Sequence, residues 1–220
     1  MKKIILILVL VILPMLSQAQ GYHTFVDFHA GSSPSTVGTE FSTGDYRYKN
    51  IRPALTFGMN ITEGYQVMPN LFAGIGFGGY TNFLSYKEHD SSRYSWTETK
   101  FYALYFPLYA NVRWTLDRQR KITPFADLKI GYQFGVSLND GCMTWTSGDQ
   151  YYVKPRSGIY FVPSVGVRFG KSVGFNLGIA YNTAIGMKFQ RQPAASANGR
   201  FDTFDSVTSG VFMLTLGVDF

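Results

Sequence analysis

The sequence predicts an all-β fold, an eight-stranded, up-and-down antiparallel β-barrel that crosses a membrane. Three observations carry that reading. Apolar residues recur at every second position through about eight segments, and no helical period holds over a useful window. The connections between those segments alternate between long and short. Charged residues make up only 15% of the chain while aromatics reach 17% and glycine numbers 23, a mix poor for a protein wet on all sides.

Residues 1–19 read as a cleaved secretory signal peptide. Lys2 and Lys3 form a basic n-region, Ile4 to Leu16 an apolar h-region, and Ser17-Gln18-Ala19 a small-x-small cleavage site. A retained anchor is the alternative, but the apolar run is shorter than the ~20 residues a spanning helix needs. With Lys2 and Lys3 gone, the formal charge falls by two from +6. The remaining excess is spread thinly, with no basic arm for nucleic acid. Residues 20–220 are expected to form one barrel domain. Cys142 is the sole cysteine, which excludes an intramolecular disulfide framework and cysteine-rich zinc sites. No metal or other cofactor is expected.

The strands are expected at 22–31, 51–67, 70–85, 100–116, 122–137, 157–169, 172–187 and 208–220. Each is near or above the ~9–11 residues that cross a bilayer at a tilt. The first carries Asp27 on its polar face, and the glycine-rich run AGIGFGG in the third reads as strand packing rather than a phosphate loop. On 100–116, Tyr102, Leu104, Phe106, Leu108, Ala110, Val112 and Trp114 share one face, opposite Ala103, Tyr105, Tyr109, Asn111, Arg113 and Thr115. On 122–137, Leu128, Ile130, Tyr132, Phe134 and Val136 oppose Asp127, Lys129, Gly131, Gln133 and Gly135. On 157–169, Phe161, Val165, Val167 and Phe169 oppose Ser164, Gly166 and Arg168. On 172–187, Phe175 and Ile179 oppose Asn176 and Asn182.

The polar faces are too charged for a dry core and too rich in small residues for an ordinary solvated face. Apolar side chains meeting lipid around a narrow polar lumen fit both faces. A soluble lipocalin-like barrel is the rival, with the apolar face turned inward. The links at Met68-Pro69, Asp117 to Lys121 and Gly170-Lys171 are tight, whereas 32–50, 86–99, 138–156 and 188–207 are long and polar. Short periplasmic turns and long extracellular loops produce that segregation. Pro124 and Pro163 interrupt the pattern and are expected at bulges.

The last strand alternates Phe212, Leu214, Leu216, Val218 and Phe220 up to a terminal phenylalanine. This resembles the C-terminal signal by which bacterial outer-membrane barrels are recognised by their insertion machinery. With the leader and the loop pattern, the chain resembles the small OmpA/OmpX-type outer-membrane β-barrel family. The resemblance implies residence in a Gram-negative outer membrane, with outer-membrane lipids as partners and lipopolysaccharide as a possible one. OmpA proteins add a peptidoglycan-binding domain, and no such tethering is expected here.

Asp27, Asp127 and Asp219 against Arg113, Lys129 and Arg168 form the expected luminal network, three acids facing three bases. An unpaired buried charge is costly, so near-neutral pairing is what a narrow lumen requires. The expected role is a non-enzymatic one, structural or in surface interaction, with four loops on a mostly plugged barrel. A narrow porin is the alternative, and a lipid A-modifying hydrolase a more distant one. For the hydrolase, His29 near Ser33, or His89 beside Asp90, Ser91 and Ser92, would have to form an oriented triad, which adjacency does not provide. His23 lies at the periplasmic start of its strand. Basic loop residues such as Lys188, Arg191 and Arg200 would suit lipopolysaccharide phosphates, or belong to a mixed solvated face with Asp202 and Asp205. Outward Trp114, Phe169 and Tyr181 are candidates for interfacial girdles, and Tyr80 for internal packing.

Overall fold

The computed structural model describes residues 21–32, 41–43, 46–90, 95–116, 120–137, 141–144, 150–192 and 202–220, with side chains at 21–32, 55–83, 102–116, 120–136, 155–183 and 210–220. The leader expected over 1–19 lies outside them. Among the described residues, eleven strands are formed: β1 (Tyr22–Ser32), β2 (Phe41–Thr43), β3 (Tyr46–Met68), β4 (Leu71–Asp90), β5 (Ser95–Thr115), β6 (Ile122–Ser137), β7 (Gly141–Thr144), β8 (Gln150–Arg156), β9 (Gly158–Phe169), β10 (Gly174–Gln192) and β11 (Asp202–Asp219). β8 and β9 are one stave interrupted at Ser157, since both pair with β10. β2 and β7 are short additions at the loop end, pairing with β3 and β8. The remaining ladder is an eight-stave antiparallel barrel, closed because β11 pairs with β10 and with β1.

The seam between β1 and β11 runs from Phe25↔Asp219 to Ser32↔Phe212. At the turn end, Thr24 N–H donates to the Phe220 carbonyl (3.0 Å) and Phe220 N–H to the Thr24 carbonyl (3.1 Å). Closure satisfies a backbone that would otherwise present a bare edge to hydrocarbon.

The two faces separate cleanly. Phe175 and Ile179 are 61% and 57% exposed, whereas Asn176 and Asn182 between and beyond them are 4% and 1%. Phe28, Ile75, Phe77, Leu108, Ile130 and Val165 continue the exposed apolar surface around the barrel. Such a surface would be unstable in water and suits lipid.

Strand lengths depart from expectation at the loop end. The segment 86–99, read as a loop, is mostly ladder, because β4 and β5 stay paired as far as Asp90↔Ser95. β10 and β11 likewise stay paired to Arg191↔Asp202, well into 188–207. β7, β8 and the start of β3 occupy parts of 138–156 and 32–50. In these segments the sequence loses its hydrophobic alternation while backbone pairing continues.

The prolines divide. Pro163 precedes Ser164, the partner of Ala180 at which the β9–β10 ladder lapses before resuming at Gly186↔Arg156, so its missing N–H falls in an irregular stretch as expected. Pro124 does not sit at a bulge: β6 runs in unbroken register against β5 and β9. Pro124 lies just past Thr115↔Phe125, the end of the β5–β6 ladder, and its carbonyl accepts from Leu116 N–H (3.2 Å). The lost donor falls at the rim, where the ladder was ending anyway.

Candidate functional site

The lumen is crossed by side chains at two levels, charged toward the turn end and neutral toward the loop end. Asp127 on β6 is the hub of the charged level. Its Oδ1 accepts from Asn111 Nδ2 (2.5 Å) and Arg113 Nε (3.2 Å), both on β5. Its Oδ2 accepts from Lys129 Nζ (2.5 Å) and from Ser164 Oγ on β9 (3.2 Å). Asp27 on β1 reaches the same cations from another part of the wall, with Oδ2 3.5 Å from Arg113 Nη2 and 3.3 Å from Lys129 Nζ. Two carboxylates thus share two cations, all four at least 96% buried.

Arg113 is held flat as well as paired. Its guanidinium carbon lies 4.1 Å from the centroid of Phe25 and 4.6 Å from that of Phe125. A desolvated cation over an aromatic face gains ~2 kcal/mol or more. Phe25 in turn meets Phe72 edge-on at 4.8 Å. Room for these rings comes from glycines on the same face. A Cβ on Gly166 would lie 2.6 Å from the Phe125 ring, and one on Gly76 would lie 2.5 Å from that of Tyr109.

Nearer the rim, Arg168 Nε donates to both oxygens of Asp219 (2.9 and 2.8 Å). Its Nη1 donates to the carbonyl of Gly170 (2.6 Å) and its Nη2 to that of Lys171 (3.3 Å). This buried cation therefore pairs with a carboxylate and satisfies turn carbonyls together.

The neutral level is built from tyrosines and amides. Tyr80 and Tyr105 stack at 5.1 Å with rings 12° apart, and Tyr109 lies 5.4 Å from Tyr160. Tyr80 donates its hydroxyl proton to Gln133 Oε1. Asn60 Nδ2 on β3 donates to His29 Nε2 (2.9 Å) and to the Tyr160 hydroxyl on β9 (3.1 Å). Thr56 Oγ1 donates to Asn82 Oδ1 (2.5 Å), and Thr62 bonds the Tyr109 hydroxyl (2.9 Å). His29 is thus part of this layer, engaged by an amide. Ser33, its considered partner, lies outside the described residues, as do Ser91 and Ser92, and the side chain of His89 is not among those described.

All six ionisable residues singled out from the sequence are buried in the lumen, and four of them meet in one cluster while Arg168 and Asp219 form a separate pair. Phe212, Leu214 and Leu216 project outward at 52–54% exposure, with Val218 and Phe220 partly covered. Trp114 and Phe169 are exposed near the turn end, and Tyr80 is buried. Tyr80, Tyr105 and Tyr109 are buried on the inward face as the sequence indicates, whereas Phe25, Phe125 and Tyr160 are the part of the aromatic filling that sequence reasoning missed. Phe25, Phe125 and Tyr160 share parity with Asp27, Asp127 and Ser164, and that parity was the available signal. Among the described residues, no group of three or more His, Cys, Asp or Glu side chains is placed to hold a metal ion.

No protein-family model matches the chain, and no curated protein sequence matches it. Solved structures do. The chain is similar in fold to the outer membrane protein OprG from Pseudomonas aeruginosa, at TM-score 0.58 and 12% identity over 91% of this chain and 96% of that one. It is similar to Neisserial surface protein A at TM-score 0.51 and 14% identity, with the same coverage. The outer membrane protein AlkL, solved in lipid bilayers, matches at TM-score 0.50 and 16% identity over 91% of this chain and 90% of that one. The fold is that of the small eight-stranded outer-membrane barrels.

Proposed function

We propose that the protein is a non-enzymatic barrel of a Gram-negative outer membrane, which displays its loop-end hairpins for surface interaction on a wall held rigid by a plugged lumen. The observation that carries this reading is the bridging of separate staves across the interior, Asp27 to Arg113 and Lys129 at one level and Asn60 to Tyr160 at the other. An eight-stranded interior is just wide enough to be filled by side chains. The apolar exterior faces outer-membrane lipid. Phe212, Leu214, Leu216, Val218 and Phe220 serve as the strand read by the insertion machinery, and cations of the hairpins, such as Lys188 and Arg191, meet lipopolysaccharide phosphates.

Two measurements test it. Heat-modifiable migration of the outer-membrane fraction on an SDS gel is expected, and a chain found only in the soluble periplasm would end the membrane reading. Purified protein in planar bilayers is expected to give no steady single-channel conductance. A second reading, a narrow polar path, draws support from buried polar atoms without protein partners: Nδ1 of His29, Nδ2 of Asn82, Nη1 of Arg113 and both amide atoms of Asn176. Buried groups of this kind recruit water. Reproducible conductance steps would favour that path over the plug.

A further inference from the structure

The turn end of the barrel has an uneven rim. The turn between β3 and β4, Pro69-Asn70, carries no charge, and Met68 and Val67 beside it are exposed. Between β5 and β6, and between β9 and β10, the described turn residues include Arg120, Lys121 and Lys171, all exposed. Asp117 and Arg118 of the first of these turns lie outside the described residues. The two basic turns are bound to each other, because Gly170 N–H donates to the Lys121 carbonyl (2.8 Å).

The placement of Lys171 is built from within the barrel. Asp219 holds Arg168, and Arg168 donates to the carbonyls of Gly170 and Lys171. Gly170 adopts φ = 112°, a conformation closed to ordinary side chains, and a Cβ there would strike the Val173 carbonyl. The two lysine backbones are therefore fixed side by side by a buried ion pair and a left-handed glycine. Immediately beneath them on the outer wall stand Ile122 (60% exposed), Val173 (49%) and Phe169 (41%). Cations at the edge of an apolar wall are placed where a bilayer puts its phosphates.

We propose that this corner of the rim binds the phosphate head group of an anionic phospholipid. Lys121 and Lys171 supply the cations, and Ile122, Phe169 and Val173 lie along the acyl chains. The proposal rests on the membrane reading above but not on the state of the lumen. Charge complementarity selects an anionic lipid, and adjacency to the apolar belt selects a lipid over a soluble polyanion. The uncharged Pro69-Asn70 side of the rim provides an internal contrast.

Trp114, exposed near the same end of β5, makes the site observable. With Trp96→Phe and Trp145→Phe, the full-length mature barrel is reconstituted into phosphatidylcholine vesicles. These contain a minor fraction of either phosphatidylglycerol or phosphatidylcholine with brominated chains, and Trp114 quenching is read. The brominated anionic lipid should associate more strongly, by roughly fivefold for each engaged lysine. Lys121→Ala/Lys171→Ala should abolish the preference, Lys121→Arg/Lys171→Arg should keep it, and added salt should weaken it. Heat-modifiable migration confirms that each variant is folded. Equal quenching by the two lipids, or a preference unchanged in the double alanine variant, would overturn the site and leave the membrane reading standing. Loss of the preference on adding millimolar inorganic phosphate at constant ionic strength would overturn the lipid assignment in favour of a free-phosphate site. A chain that does not enter vesicles would overturn the membrane reading along with it.

Discussion

The two levels of the lumen fill the same cylinder with opposite chemistry. Toward the turns, Asp27, Arg113, Asp127 and Lys129 form a compact knot of full charges, in which one carboxylate accepts from four donors. Toward the loops, Tyr80, Tyr105, Tyr109 and Tyr160 stack and tilt on one another, and the amides of Gln133 and Asn60 and the hydroxyl of Thr62 join the hydroxyls of Tyr80, Tyr160 and Tyr109 to the wall. The charged level depends on matched pairs, so removing one member strands the others. The neutral level depends on ring contacts and on bonds each worth little, so it should tolerate single losses. The difference teaches where this barrel is brittle and where it is forgiving.

Substitutions can break or sharpen that comparison. Asp127→Ala should have the largest effect, because it leaves Lys129 and most of Arg113 buried beside Asp27 alone. Breaking a buried pair from one side costs ~3–5 kcal/mol. A large fall in the unfolding temperature of the detergent-solubilised barrel is expected, and a fall no greater than that of a neutral-level variant would remove the distinction. Arg113→Ala should cost less than Asp127→Ala, since Asp127 keeps Asn111, Lys129 and Ser164 as donors. An unchanged unfolding temperature would mean that the Phe25–Phe125 clamp adds nothing. Gly76→Ala should destabilise by ~1–3 kcal/mol, as overpacking does, because the new methyl group meets the Tyr109 ring. The smallest effect should come from Tyr160→Phe, which removes one hydroxyl accepting from Asn60, at ~1 kcal/mol in denaturant titration. Combining Tyr160→Phe with Asp127→Ala should give effects that add within ~0.5 kcal/mol if the two levels act independently.

How much of this was legible before the structure depends on which side of the wall is considered. The grouping of residues into two faces read directly, because the alternation is strict, and the exposure of Phe175 and Ile179 then decides which face is outward against the inward-facing lipocalin-like alternative. The six luminal charges read almost as well, since a charge on a strand with an apolar opposite face has nowhere else to go. Phe25, Phe125 and Tyr160 did not, because an aromatic residue on the polar face looks like noise in a hydrophobicity pattern. Their positions make sense only beside Arg113 and the glycines that leave room for them. The hairpins beyond the belt were hidden for the opposite reason: their sequence lacks the alternation while the backbone ladder persists.

The seam between β1 and β11 bears on how such a chain assembles. It joins the two ends of the mature barrel, so every other ladder can form while the cylinder is still an open, curled sheet. Asp27 arrives on the first strand, and the cations it faces arrive on β5 and β6, the fourth and fifth staves, so the charge knot is incomplete until the sheet curls shut. Contacts of such long sequence separation form slowly. An open intermediate would carry both a bare strand edge and undermatched cations into the membrane. Asp127 can match Arg113 and Lys129 in part within β5 and β6, but the second carboxylate, Asp27, reaches them only across the curled barrel, so closing the seam and completing the charge balance of the interior are coupled.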